Sequence, residues 1–508
     1  MSRSAEFLEP RAARVARLRE REFDVLVVGG GITGAGVALD LSLRGLSVAL
    51  VERGDWGGAT SSASSRLIHG GLRYLETGEL ALVRESCLER ALLLRNAAGL
   101  VWPERFLFPV HQGARVGRLK LSAGLWLYTG LSIPRALGRP GWLSVPQALA
   151  AVPALRAQGL RGAGTYLDGA THDARLVLAV MASAARAGAT CVSRCELANL
   201  ASGTSGVEAG LLDLIDGSSS SLRARACVLA GGPFTTELRA RAGLSGEWMA
   251  STRGTHITVS RRRLPTDGAV IFTSGIDGRV MFLIPWPRHT VIGTTDVDAD
   301  PSAPVAPSEA EIGYLLASAN ELAPAANLRR ADVVSAWAGL RPLLRPQQAQ
   351  APSARSREER VEREGRLYTL AGGKLTGYRA MAERLGARIA RDLARGDASA
   401  RSPTRAHRLV GALQNPVSRP AWSRLGPDGT PAPVDIDAAL SSRYGSRAAA
   451  VRAHCRGLER GEELLAPDVL RGEHQWARDH EDACTPEDFL RRRTSLAFTD
   501  PSVGPDAL

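Results

Sequence analysis

Residues 23–52 read FDVLVVGGGITGAGVALDLSLRGLSVALVE, and this stretch decides the fold. Residues 24–28 are a short β-branched run, long enough for one buried parallel strand. Gly29, Gly31 and Gly34 follow in the G-x-G-x-x-G spacing. The first glycine permits a tight turn, the second lets backbone approach a pyrophosphate, and the third lets helix pack on strand. A helix from about Ile32 to Leu43 would offer bare N–H groups and a positive dipole end to a diphosphate. A second apolar strand, residues 46–51, ends at Glu52, near the spacing at which an acidic residue takes the ribose hydroxyls. Gly30 and Thr33 lie inside the same turn. No Lys follows the glycines, so this is not a G-x-x-x-x-G-K-[ST] loop. The motif predicts an ADP-containing dinucleotide and leaves NAD or FAD open.

The chain of 508 residues is long enough for two or three domains with large cores. No apolar run reaches the roughly 20 residues of a membrane span. Residues 1–22 mix Arg with Glu and lack an apolar core, so we expect a short charged helix and no secretory signal. Six cysteines without C-x-x-C pairs or zinc spacing predict reduced, mostly buried thiols in a cytosolic protein. The nine histidines form no metal constellation. The net charge of +12 comes from scattered arginines without a nucleic-acid motif, so nucleic acid is not an expected partner. Attraction to an anionic membrane surface is the remaining use for that charge. Of the 64 Lys and Arg residues, only Lys120 and Lys374 are lysines. A surviving Lys marks a place where the planar fork of Arg fits poorly.

Residues 53–76 are rich in Gly, Ser and Thr and then turn basic and aromatic. They leave the strand that ends at Glu52, so they run beside any bound dinucleotide. Thr60, Ser61, Ser64 and Ser65 are small enough to follow a diphosphate and a flexible chain closely. Residues 114–137 alternate basic and apolar groups; we read a packed helix with a basic edge, the alternative being an interfacial amphipathic helix. Residues 172–188 form an amphipathic helix, 189–215 short strands, and 226–232 an apolar strand returning to the first sheet. The segments HITVS, AVIF, RVMFLIP and TVIGTTD, within residues 254–297, alternate as antiparallel strands. Parallel α/β segments therefore bracket an inserted antiparallel sheet. Residues 367–378 read strand, Gly-Gly turn and helix start.

These motifs together resemble the FAD-dependent glycerol-3-phosphate dehydrogenases. The pieces that carry the resemblance are residues 23–45, ATSSASSRLIHGGLRYLE (59–76), RGTHITV (253–259), IPWPRHTVIGTTDVD (284–298), AGLRPLL (338–344) and AGGKLTGYRAMAE (371–383). They stand in the family's order over about residues 20–395, and residues 474–498 resemble the family's C-terminal helical domain. The resemblance implies an α/β fold: a FAD-binding Rossmann-like domain of the glycine-oxidase and D-amino-acid-oxidase type, an inserted antiparallel-sheet substrate domain and a small C-terminal helical domain. It places the oxidoreductase region at 20–395, with FAD-binding parts about 20–100, 160–240 and 335–395 and substrate parts about 101–159 and 245–334. Residues 396–434 are then a Pro/Gly/Ser-rich linker and 435–498 the helical domain. The implied reaction is oxidation of sn-glycerol 3-phosphate to dihydroxyacetone phosphate. Electrons pass to a membrane quinone, and the enzyme sits peripherally on the cytoplasmic face of the inner membrane; a homodimer is compatible. Oxygen as acceptor, or a flavoprotein of this fold with another role, are the alternatives.

The residues make chemical sense of that implication. A phosphate dianion needs convergent cations, and Arg73, Arg341, Arg357 and Lys374 lie in matching segments, with Tyr74 as a hydroxyl donor. Oxidising a secondary alcohol needs a proton acceptor, for which His256 is the first candidate and His69 the second, or an orienter of the flavin. Asp296 is placed to hold a His or a substrate hydroxyl, or to cap a turn. Arg341 and Lys374 complete the expected catalytic set with His256. Gly29, Gly30, Gly31, Thr33, Gly34, Glu52, the hydroxyl residues, His69, Gly373, Leu375 and Thr376 form the expected cofactor set. Two departures stand out. Arg66 occupies a position where the family commonly has Lys, and the return strand ends Leu229-Ala-Gly-Gly-Pro-Phe234 in place of an Asn-Ala-x-Gly-Pro-Trp pattern.

Overall fold

The structure is a computed structural model describing residues 8–345, 359–399, 401–433 and 435–508. The expected site residue Arg357 lies outside the described residues.

The residues 23–52 fold as read. Strand Phe23–Val28 is buried throughout, helix Ile32–Leu43 follows the glycines, and strand Val48–Val51 returns beside it. The two strands pair in parallel, Val25 opposite Val48. On the other side of Phe23–Val28 lies Ser219–Leu229, also parallel, Val25 opposite Ala226. The sheet runs Glu359–Glu364, Leu367–Gly372, Ser219–Leu229, Phe23–Val28, Val48–Val51, Thr190–Val192. A continuous apolar strand buried on both faces suits this central place. Helices Asp173–Arg186 and Tyr378–Leu393 pack against helix Ile32–Leu43. Gly36 permits that approach, since a Cβ there would lie 2.6 Å from the Tyr378 ring. The fold therefore gathers three sequence-distant strands around the glycine turn.

The second sheet is built on Thr252–Ser260, flanked by His289–Gly293 and Val333–Arg341. It continues through Val280–Pro285, Ala269–Thr273, Val101–His111 and Leu160–Thr171 to Leu67–Ile68. Two strands fall differently from the expected division near residues 160 and 335. Leu160–Thr171 and Val333–Arg341 both join the antiparallel sheet, because each pairs along its length with a strand of that sheet. Helix Arg118–Leu131 combines the two sequence readings. Leu121, Leu125 and Tyr128 pack inward, while Leu119 and Trp126 are 86% and 55% exposed.

The segment 396–434 is not a free spacer. Leu409, Val410 and Trp422 are buried, and Arg419 pairs with Glu104 at 2.6 Å and Asp267 at 2.9 Å. Its Pro and Gly content reflects an irregular path over the surface, held by side chains in place of backbone ladders. Beyond it, helices Ile436–Tyr444, Ala448–Arg456 and Gly472–His480 and a small hairpin, Leu464–Ala466 with Val469–Leu470, form the C-terminal domain. Five cysteines are buried, Cys484 is exposed, and all six are unbridged.

Candidate active site

A cavity of about 690 Å³ lies between the two sheets. Its floor on one side is the glycine turn. Gly29 has φ +113°, a conformation in which L side chains are strained, and a Cβ there would meet the Ala230 carbonyl. Gly34 abuts the carbonyl of Gly29, so both glycines hold strand and helix together behind the cavity. Gly31 differs: the nearest atom to an added Cβ is Ser61 Oγ at 3.2 Å, and the residue faces the cavity. Glu52 accepts from Gly30 N–H at 2.6 Å and Gly54 N–H at 2.7 Å. Burial raises its carboxyl above the ordinary range, against the pull of those two donors. The carboxylate is thus fixed at the end of its strand, where a ribose is expected.

The hydroxyl residues line the cavity, but the structure gives several of them partners within the protein. Ser61 Oγ accepts the Ile32 N–H at 3.0 Å at the helix start. Thr60 Oγ1 donates to the Leu340 carbonyl at 2.6 Å, tying the loop to the second sheet. Ser64 Oγ donates to Asp173 at 2.8 Å. Ser65 Oγ lies 2.9 Å from His256 Nε2. Ser65, read as a cofactor residue, therefore orients the candidate base. His69 N–H donates to Thr376 Oγ1 at 3.2 Å, which joins two cofactor segments separated in sequence.

The opposite wall comes from the alternation of two paired strands. His256 stands opposite Trp337, Gly254 opposite Gly339 and Thr252 opposite Arg341. Period two puts these pairs on one face. His256 stacks on Trp337 with centroids 5.2 Å apart and planes 11° from parallel. Gly254 leaves room for the Arg341 guanidinium to lie back across the sheet. Arg341 Nη1 donates to Asp296 at 2.7 Å, and Nη2 to Thr294 Oγ1 at 3.0 Å and the Thr295 carbonyl at 2.9 Å. Asp296, expected against a His or a substrate hydroxyl or as a turn cap, holds the arginine in this structure. Burial, with the Arg341 and Arg66 cations, pushes the His256 imidazole down to about 3, so the ring is neutral.

Lys374 and Tyr74 close the third side. Lys374 Nζ sits 3.9 Å from the centroid of the Tyr74 ring, a cation over an aromatic face. Both line the cavity with Gly373, Leu375 and Thr376. Arg73 is outside the wall and lies 5.1 Å from the centroid of that same ring.

Four residues in or behind the cavity wall were not read from the sequence as site residues. Arg66 is buried and lies 4.4 Å from the Trp286 ring, with Trp337 and Phe498 close by. Trp56 is fully buried against Gly30. Arg491 and Arg492 reach the cavity from the C-terminal domain. Their sequence signal was a basic, aromatic-flanked run, which does not reveal a partner so distant in the chain. Among the described residues no His, Cys, Asp and Glu group has the arrangement of a metal site.

A glycine turn with a fixed acid at the next strand end, facing a sheet with a neutral His and an anchored Arg, defines a dinucleotide-dependent oxidoreductase. Residues 24–378 match the family described as FAD dependent oxidoreductase, and the chain belongs to it. Residues 402–508 match the C-terminal domain of alpha-glycerophosphate oxidase. The aerobic glycerol-3-phosphate dehydrogenase of Staphylococcus epidermidis is 38% identical over 378 residues, covering 72% of this chain and 66% of the relative. That of Staphylococcus aureus is 37% identical over 379 residues with the same coverage. The chain thus spans about two-thirds of the length of these relatives. The crystal structure of a glycerol-3-phosphate dehydrogenase from Bacillus halodurans, complexed with FAD, superposes with a TM-score of 0.76 at 30% identity, covering 98% of this chain and 91% of that one. Glycine oxidase from Geobacillus kaustophilus shares the fold, with a TM-score of 0.55 at 24% identity over 73% of this chain and 95% of that one. FAD is the cofactor, and the cavity fits it: Gly31 opens toward the cavity at a helix start, and Glu52 lines it at the end of the next strand.

Proposed function

We propose that this protein oxidises sn-glycerol 3-phosphate to dihydroxyacetone phosphate and passes the electrons to a membrane quinone. The observation that carries the reading is the single sheet face bearing His256 and Arg341, opposite the glycine turn. FAD, when bound, supplies the hydride acceptor for C2 of the alcohol. Arg341 and Lys374 offer a fork and a point charge to the phosphate. Asp296, Thr294 and Thr295 hold the fork before substrate arrives, so little is spent on ordering it. His256, neutral and fixed by Ser65 and Trp337, takes the hydroxyl proton as the carbonyl forms. A phosphate dianion against Arg341 offsets the cationic field that holds the imidazole down. The relatives named aerobic glycerol-3-phosphate dehydrogenase support the substrate.

We place the enzyme peripherally on an anionic membrane, at the cytoplasmic face of the inner membrane. Among the described residues no helix is long and apolar enough to cross one. Helix Arg118–Leu131 and its flanks expose Leu119, Trp126, Leu127 and Ile133 beside Arg115, Lys120 and Arg135. No Asp or Glu occurs between Glu104 and Asp168, so this surface carries no acid of its own segment to repel lipid phosphate.

Oxygen as acceptor is the second reading, favoured by the oxidase-type C-terminal match. Purified enzyme given glycerol 3-phosphate should form dihydroxyacetone phosphate faster with a soluble quinone than with air alone. Hydrogen peroxide in step with product, and no gain from quinone, would establish the oxidase instead.

A further inference from the structure

The C-terminal domain does more than flank the oxidoreductase part. Glu487, Arg491 and Arg492 stand in the cavity wall with Asp55, Gly58 and Arg194. A chain of charge pairs sets them there. Arg493 forks onto Asp55, Nη1 to Oδ2 at 2.7 Å and Nη2 to Oδ1 at 2.8 Å. Arg492 Nε donates to the same carboxylate, and its Nη2 to Asp488 at 2.6 Å. Asp488 also takes Arg194 Nη2, at 2.8 Å from each oxygen. Asp482 accepts the Trp56 indole N–H at 3.2 Å and Arg14 Nη1 at 2.9 Å.

These contacts surround Glu52. Asp55 and Trp56 follow it in the chain, and the Cys195 N–H, next to Arg194, donates to the Glu52 carbonyl at 2.8 Å. Trp56 covers the glycine turn: a Cβ on Gly30 would lie 2.6 Å from its Cε3. One segment, residues 482–493, therefore grips the loop that leaves the ribose-binding strand and the ring that backs the turn. Buried charge pairs of this kind add little net stability but fix geometry when every partner is satisfied. Arg491 differs from its neighbours. Its side chain is 39% exposed, meets Glu487 at 3.1 Å, and stands in the cavity wall with Asp55 and Gly58, which follow Glu52 in the chain.

We propose that the C-terminal domain is part of the cofactor site: Arg491 supplies a cation to the diphosphate–adenosine half of FAD, and the Asp55–Arg492–Arg493 junction holds the loop closed over it. The proposal rests on FAD as cofactor and concerns its retention, independent of substrate. Its test compares Arg491→Ala and Arg491→Lys with the parent protein. Flavin release from loaded enzyme is followed by the return of free-flavin fluorescence, and ADP binding to the apoprotein by calorimetry. Loss of one charge-assisted contact should speed release and weaken ADP by roughly tenfold each. Lys should restore part of both, because the charge is kept and the fork is lost. Arg491 is partly exposed, so its truncation leaves the core intact; Asp55→Asn, which loosens the junction, should speed release as well. Release and ADP affinity unchanged in Arg491→Ala would overturn the proposal. A parent protein that neither carries nor takes up FAD would defeat the cofactor assignment itself.

Discussion

The Ser65 hydroxyl lies 2.9 Å from Nε2 of His256, bridging the cofactor loop and the substrate sheet across 191 residues of sequence. The imidazole is thereby fixed from both sides, by the hydroxyl at its edge and by the Trp337 ring on its face. If His256 takes the substrate proton, His256→Asn should lower kcat by about 10²–10⁴-fold with flavin retained. Ser65→Ala should cost less, since the base is still present but less well aimed. Steady-state kinetics on flavin-normalised protein check both; a Ser65 variant worse than the His256 variant would reverse the roles.

The phosphate grip predicts a substrate-dependent loss. Arg341→Ala removes charge-assisted hydrogen bonds worth about 1.5–3 kcal/mol, a roughly ten- to hundredfold fall in kcat/KM for glycerol 3-phosphate. Glycerol lacks the phosphate and should suffer far less. Asp296→Asn should follow the same pattern more weakly, because Asp296 only orients the fork. Equal losses on both substrates would assign Arg341 to the fold or the flavin.

Gly31→Val puts a branched side chain where the cavity meets the helix start. The variant should purify folded and colourless. Full flavin content, read from absorbance, would remove the diphosphate from this turn.

Much of this was legible in the chain. Helix Ile32–Leu43 has the bounds its glycines and leucines predict, because a local period and a local turn encode it. The strands around His256 likewise follow their alternation. What the sequence hid were partners brought together only by folding. Asp296 looked free to meet substrate, yet it meets Arg341, 45 residues on. Residues 396–434 read as a spacer by composition, but Arg419 and Trp422 anchor them. Asp55 and Arg493 give no signal at all until the C-terminal domain docks.

Acid should act on the fold through its buried neutral histidines. Burial and nearby arginines hold His172 well below its ordinary range, and bring His289 down to about 4 and His256 to about 3. Each is neutral when folded and takes a proton when unfolded, below about pH 6.5. The unfolded state then binds more protons, so stability falls as pH drops from about 6.5 toward 4. Urea unfolding at stepped pH should show this slope, and His289→Gln should reduce it by roughly one proton. An identical slope in His289→Gln and the parent protein would contradict the burial of a neutral His289.

Membrane docking should be both electrostatic and apolar. Wild type should sediment with phosphatidylserine vesicles and release as salt shortens the Debye length to about 10 Å near 0.1 M. Replacing Leu119, Trp126 and Leu127 by Ser should abolish sedimentation at low salt too. Binding retained by that variant would move the docking surface elsewhere.

The most direct measurement is anaerobic titration of the purified yellow protein with glycerol 3-phosphate, following flavin absorbance near its visible maximum. The account predicts stoichiometric bleaching by glycerol 3-phosphate, with dihydroxyacetone phosphate as product, and almost none by glycerol at equal concentration. An unchanged spectrum with glycerol 3-phosphate, in protein that a chemical reductant bleaches normally, would contradict it.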